Sequence, residues 1–126
     1  MSDSRLTFKQ MCERFDVTPR TLRYYDYIEL LAPDREGRRR FYGPRELARM
    51  TLILRGRKFG FSLEEIRQWL EIYENQGSAP QFRIFVEYAD RQLEALKDQR
   101  SQLDATIHDL AKLRKDVSNL LLDATE

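Results

Sequence analysis

The chain has 126 residues, 41% hydrophobic and 34% charged, with a formal net charge of +1 and a mean hydropathy of -0.67. That length holds one compact domain with an extension, or two small units, and excludes a large enzyme with a deep cleft. No run approaches the roughly 20 apolar residues of a bilayer span, residues 1–6 lack a signal-like apolar stretch, and Cys12 is the single cysteine. The expectation is a soluble, cytoplasmic protein with no internal disulfide and no thiolate metal cage.

In chain order, the first helix is predicted over 8–15. Thr7 followed by Gln10 fits a capping box, in which the hydroxyl accepts from the N3 amide and the N3 side chain accepts from the cap amide. Phe8, Met11, Cys12 and Phe15 share one face of it. Thr18-Pro19 then places a good cap before a proline at N1, predicting a helix over 19–28. Leu22, Tyr25 and Ile28 can meet the first helix, and the short connection through 15–17 suggests a helix-turn-helix. Arg20, Thr21, Arg23, Tyr24 and Tyr27 are left facing outward. Arginine suits bidentate acceptors on bases or phosphates, and tyrosine hydroxyls reach phosphate oxygens, so Arg20, Arg23 and Tyr24 are read as DNA contacts. Tyr27 is read as covering the segment that follows.

That segment, LLAPDREGRRRFY over 30–42, has turn chemistry at Pro33, Asp34 and Gly37. Residues 39–42 form a candidate returning strand, and together they predict a hairpin or wing. Gly43-Pro44 opens a helix over 44–58 with a weaker cap, and KFGF at 58–61 breaks it. Ser62 with Glu65 makes a second capping box for a helix over 63–75. NQGSAP contains the clearest linker, placed at 76–80. From 81 to 122 there is no Gly or Pro, and apolar residues recur at steps of four and three: Phe82, Val86, Ala89, Leu93, Leu96, Leu103, Ile107, Leu110, Val117 and Leu121. Such a heptad seam cannot be buried by one helix, so a coiled-coil homodimer is expected. The gaps in the seam are Arg100 and Arg114. In a parallel pair each would face its twin, so avoided repulsion favours an antiparallel pair. The expected organisation is a winged domain over 1–75, a linker over 76–80, a dimerisation helix over 81–122 and a tail over 123–126. The fold class is therefore mainly α.

Charge divides along this organisation. Residues 1–78 hold 15 Lys and Arg against 12 Asp and Glu, while residues 79–126 hold 7 against 9. Between Arg35 and Lys58 nine basic residues face two acidic ones, Glu36 and Glu46. That is the footprint of a polyanion-binding surface, with a solvated helix face as the bland alternative. Enzymatic readings lack their parts. His108 is the single histidine and belongs to the long helix, and Cys12 falls on an apolar face. Neither a phosphate-binding glycine loop, an HExxH nor a CxxC occurs.

The blocks LTFKQMCERFDVTPRTLRYYDYIELLAP, GRRRFYGPREL and RGRKFGFSLEEIRQWL, in this order over about residues 6–74, resemble the MerR family of bacterial transcriptional regulators. The resemblance implies a winged helix-turn-helix followed by a dimerisation helix that pairs antiparallel. It further implies a homodimer that binds a pseudo-palindromic promoter element, bends and untwists the spacer, and so alters how RNA polymerase meets the promoter. Residue by residue, Arg20 and Arg23 match recognition-helix contacts, Tyr24 a phosphate contact, Arg40 and Tyr42 the wing contacts, and Lys58 the basic residue before a second wing. Arg38 enters through local charge alone. Dimerisation falls to Val86, Leu93, Leu96, Leu103, Ile107, Leu110, Val117 and Leu121.

Two departures stand out. Gly43 replaces the usual serine cap, and residues 79–126 contain no cysteine, which disfavours metal or iron–sulfur sensing by the family's usual chemistry. No cofactor is expected. LILRGRKFGFSLEEIRQWLEIYE resembles a subgroup associated with branched-chain amino acid and acyl-CoA catabolism. Trp69, Tyr73, Phe82, Phe85 and Tyr88 could line an effector pocket, though aromatic clusters at such junctions are more often simple packing. The competing functions are a coiled-coil interaction protein and an architectural protein that bends DNA without an effector.

Overall fold

The computed structural model describes residues 4–125; residues 1–3 of the expected first domain and Glu126 of the expected tail lie outside the described residues. The elements follow as β1 (Leu6–Thr7), α1 (Phe8–Phe15), α2 (Pro19–Tyr27), β2 (Asp34–Glu36), β3 (Arg39–Tyr42), α3 (Pro44–Phe59), α4 (Leu63–Asn75) and α5 (Ala79–Ala124). Both capping boxes form. Gln10 N donates to Thr7 Oγ1 at 3.2 Å and Thr7 N to Gln10 Oε1 at 2.9 Å, while Glu65 N donates to Ser62 Oγ at 3.1 Å and Ser62 N to Glu65 Oε1 at 2.8 Å. Thr18 Oγ1 accepts from Thr21 N at 3.1 Å, and α3 starts at Gly43 without a side-chain cap.

Helix α5 starts earlier than its apolar repeat. Ser78 N donates to Gln81 Oε1 at 2.7 Å and Gln81 N to Ser78 Oγ at 3.4 Å, a third capping box. Ala79 and Pro80 therefore occupy the first turn, where a missing N–H leaves nothing unpaired. Serine, proline and glycine together resemble a linker, yet Ser-x-x-Gln is also a helix start.

The wing is a three-stranded sheet in the order β1-β3-β2, its third strand being the two-residue β1 that no strand pattern announces. Leu6 pairs with Tyr42 and Thr7 with Phe41, so the residue that caps α1 also fixes that helix against the hairpin. On the other edge Asp34 pairs with Phe41, Arg35 with Arg40 and Glu36 with Arg39. Asp34 is thus in a strand, and the turn is Gly37-Arg38. Gly37 has φ 64°, a left-handed value at the first loop position, where a type II′ hairpin turn takes glycine.

The core joins Met11 of α1, Leu22 and Tyr25 of α2, Tyr42 of β3, Met50 and Ile53 of α3, and Ile66 and Leu70 of α4, with Leu30 and Leu31 between α2 and the wing. Burial of this apolar set is the main stabilising term. Helices α3 and α4 come close at Gly56, where a Cβ would lie 2.7 Å from Ile66 Cγ1.

The chain divides into two compact units, the first ending at Phe85 and the second beginning at Val86. The second is the remainder of α5. Val86, Leu93, Leu96, Leu103, Ile107, Leu110, Val117 and Leu121 are all exposed along it, as are Leu113, Leu120 and Leu122 beside that seam. Among the described residues, no helix is long and apolar enough to cross a membrane.

Candidate nucleic-acid interface

Helical spacing sorts the residues of α2 by face. Leu22, Tyr25 and Asp26 are buried, while Arg20, Arg23, Tyr24 and Tyr27 are exposed. Two open concavities flank the outward face. One, of about 620 Å³, is lined by Arg20, Thr21, Arg23, Tyr24 and Tyr27 of α2 with Arg57 of α3. The other, of about 490 Å³, is lined by Thr7, Phe8, Lys9 and Arg23 with Arg38, Arg39 and Arg40 of the wing. Arg23 lines both. Lys58, exposed on the last turn of α3, lines neither. Guanidinium groups and phenol hydroxyls around shallow, open hollows suit phosphates and base edges better than a small enclosed ligand.

Tyr27 is 83% exposed and does not cover the wing, contrary to the sequence expectation. It lies five residues after Leu22, off the buried stripe, and joins Tyr24, 49% exposed, on the outward face. The wing departs further. Tyr42 is 0% exposed, so it cannot make the wing contact expected of it; its ring belongs to the core. Its hydroxyl donates to Asp26 Oδ2 at 2.6 Å, and Arg40 Nη1 donates to the same oxygen at 2.9 Å. Arg40 is therefore not a free surface cation. Its guanidinium also lies 5.5 Å from the centroid of the Phe8 ring, with that of Arg23 at 5.4 Å from the same ring.

Asp26 was missed by sequence reasoning, although its position four residues after Leu22 places it on the inward face. It is 8% exposed, and its Oδ1 has no hydrogen-bond partner among the described residues. Burial raises its pKa, opposed by the Tyr42 hydroxyl and the Arg40 charge. Burial and the Asp26 carboxylate push the Tyr42 phenol upward, so it stays a hydrogen-bond donor. Glu46, 6% exposed, accepts from Ala32 N at 2.9 Å and from Arg45 Nη1 at 2.8 Å. Arg49 Nε donates to Leu30 O at 2.8 Å, and Arg67 Nη2 donates to Ile28 O. These two arginines satisfy carbonyls just past the end of α2 and hold the recognition helix from behind.

The charge count consequently overstates the polyanion surface. Of the nine basic residues between Arg35 and Lys58, Arg40 pairs with Asp26, Arg45 with Glu46 and Glu74, and Arg49 with Glu74 at 2.7 Å. Although burial acts to raise the Glu74 pKa, the Arg49 and Arg45 guanidiniums hold it below the ordinary carboxylate value.

The aromatic residues suggested as an effector pocket pack or are exposed. Trp69 and Phe85 stand with ring centroids 6.2 Å apart, and Phe61 meets Phe85 edge-on at 6.0 Å. Tyr73 and Phe82 are exposed; Tyr88, in the second unit, lies under Arg91 at 5.2 Å. Cys12 is partly buried against the core, and burial raises its pKa. Among the described residues, no group of three or more His, Cys, Asp or Glu side chains could hold a metal ion.

Comparison with known proteins agrees with this geometry. Residues 6–72 match the family model described as "MerR HTH family regulatory protein", and residues 47–117 match that described as "MerR, DNA binding". The chain is similar to the HTH-type transcriptional regulator HmrR of Rhizobium leguminosarum bv. viciae, 31% identical over 110 residues that cover 86% of this chain and 78% of that protein. Among solved structures it is similar to a MerR-family transcriptional regulator from Bacillus cereus, with a TM-score of 0.71 and 27% identity over 89% of this chain and 81% of that one. HiNmlR, a MerR-family regulator lacking the sensor domain and bound to promoter DNA, shares the fold with a TM-score of 0.62 and 22% identity, over 82% of this chain and 78% of that one.

Proposed function

The chain belongs to the MerR family of DNA-binding transcriptional regulators, and on that premise we propose that it binds a pseudo-palindromic promoter element as a homodimer. The observation that carries this reading is the outward face of α2, where Arg20, Arg23, Tyr24 and Tyr27 line open, arginine-rich hollows on both sides of the helix. Helix α2 enters the major groove, with Arg23 reading a base edge and Arg20, Tyr24 and Tyr27 serving phosphates or neighbouring bases. Arg38 at the hairpin tip, Arg57 and Lys58 follow the backbone on either side. The apolar seam of α5, exposed from Val86 to Leu121, supports an antiparallel coiled coil between two copies over the proposed dimerisation segment.

Two copies on a pseudo-palindrome would bend and untwist the spacer, and the deformation would be read by RNA polymerase. The protein would act in the cytoplasm, where promoter DNA is accessible. Likeness to the subgroup linked with branched-chain amino acid and acyl-CoA catabolism makes promoters of those genes the first to test. Sequencing DNA fragments bound by the protein, followed by footprinting, is the direct experiment. A protected pseudo-palindrome is expected, and no protection at moderate ionic strength would remove specific regulation. Arg23→Ala should weaken specific binding by about 1 to 3 kcal/mol if Arg23 reads a base edge, and unchanged affinity removes that assignment. Transcription in vitro separates a regulator from an architectural protein that bends DNA and leaves polymerase output unchanged.

A further inference from the structure

The wing-side hollow beside α2 is built on a charge pair whose carboxylate is buried. Tyr42 and Arg40, both on β3, converge on one oxygen of Asp26 on α2, at 2.6 Å and 2.9 Å. The Asp26 side chain is 2% exposed and that of Arg40 is 24% exposed. The Arg40 guanidinium also lies against Phe8, and it lines the hollow together with Arg23, Arg38 and Arg39. Resting on the proposed DNA-binding function, we propose that Asp26 is a specificity-determining positioning residue: by holding Arg40 against α2 it withholds that charge from the phosphate backbone.

The physical reason concerns what an arginine contributes on a wing. A cation free at a DNA-facing surface binds phosphates of any sequence, strengthening specific and non-specific complexes alike. A cation held by a carboxylate inside the domain adds no such indiscriminate attraction. It instead fixes β3 to α2, and with Phe8 it supports the side on which Arg23 stacks. Discrimination then rests on Arg23 and its neighbours, while Arg40 and Tyr42 define where they stand. Asp26 can hold this role because Tyr42 and Arg40 are two residues apart on β3 and therefore point to one face of the sheet.

The experiment measures affinity against salt concentration for the full-length wild type, Asp26→Asn, Arg40→Gln and the double variant, on a cognate duplex and a scrambled one. Asp26→Asn frees Arg40, so its scrambled-duplex salt slope should steepen by about 0.9, the value of one phosphate contact, or about 3.5-fold more affinity lost between about 50 and 200 mM salt. Its cognate-to-scrambled affinity ratio should fall as well, because β3 is no longer fixed to α2 and the support beside Arg23 is loosened. The double variant should return the slope to wild type, and Arg40→Gln alone should leave the scrambled-duplex slope unchanged. If Arg40→Gln alone flattens that slope by about 0.9, Arg40 already touches phosphate and the proposal is overturned. An unaltered slope and ratio in folded Asp26→Asn would overturn it too, and Arg40→Gln decides alone if that variant does not fold. Failure of the wild type to prefer any duplex would instead refute the DNA-binding reading itself.

Discussion

Tyr42→Phe isolates the energetics of the α2–β3 connection. The substitution keeps the ring and opens no cavity, since the ring of a residue 0% exposed is retained, and removes only the hydroxyl that donates to Asp26 Oδ2 at 2.6 Å. Asp26 Oδ1 already has no partner among the described residues, so Arg40 Nη1 would be the remaining donor to the carboxylate. A hydrogen bond to a charged group contributes about 1.5 to 3 kcal/mol, and water has no access to replace it, so a loss in this range is expected at about pH 7. The pH dependence follows from linkage. Burial raises the folded pKa of Asp26 above its unfolded value, so the stability tied to this group is greatest below the ordinary carboxylate range and declines as pH rises through the folded pKa. Without the Tyr42 donor the ionised form is disfavoured further. The variant should therefore lose more stability near neutrality than at about pH 3, below the ordinary carboxylate range, where a protonated Asp26 loses only a neutral hydrogen bond of about 0.5 to 1.5 kcal/mol. Urea titrations of both proteins at the two pH values, at one fixed protein concentration, measure this as a change in midpoint at constant slope. A cost under about 0.5 kcal/mol at pH 7, or a larger cost in acid, would refute the assigned role of the hydroxyl.

Gly56→Ala should destabilise the first unit. Its Cβ would stand 2.7 Å from Ile66 Cγ1 and 3.4 Å from Trp69 Cζ3, and Ile66 is fully buried in the core, so something there must shift. Overpacking costs about 1 to 3 kcal/mol against about 1 kcal/mol gained in helix propensity, so thermal unfolding should show a net loss, and a raised midpoint would contradict the close packing of α3 and α4. Ile107 is exposed in the middle of the seam of α5; if the proposed coiled-coil dimer buries it, Ile107→Asp removes about 1.5 to 3 kcal/mol of apolar burial per copy and places a carboxylate in that seam. Sedimentation should find a weakened or lost dimer, whereas an unaltered dimer would move the interface elsewhere on the chain.

The boundaries of these helices were legible because local chemistry sets them. Thr7, Thr18 and Ser62 are followed by the residues that complete their caps, and each cap forms as its spacing implies. The same is true of the inward and outward faces of α2, since a period of 3.6 residues places Leu22 and Tyr25 together and Arg20, Arg23 and Tyr24 apart from them. Ser78-x-x-Gln81 carried an equally local signal that proline and glycine obscured. What required the tertiary structure was the fate of the charges. An arginine in a list of basic residues has no partner until the chain has folded. Only the packing of β3 on α2 brings Arg40 to Asp26, and only the packing of α3 and α4 behind α2 turns Arg49 and Arg67 onto the carbonyls just past its end. The sequence by itself determined that a helix with arginines and tyrosines on its outer face would exist. Which of the basic residues that follow it remain available to DNA was decided mainly by three-dimensional pairing between residues far apart in the chain, Arg40 with Asp26 and Arg45 and Arg49 with Glu74, which no local pattern encodes.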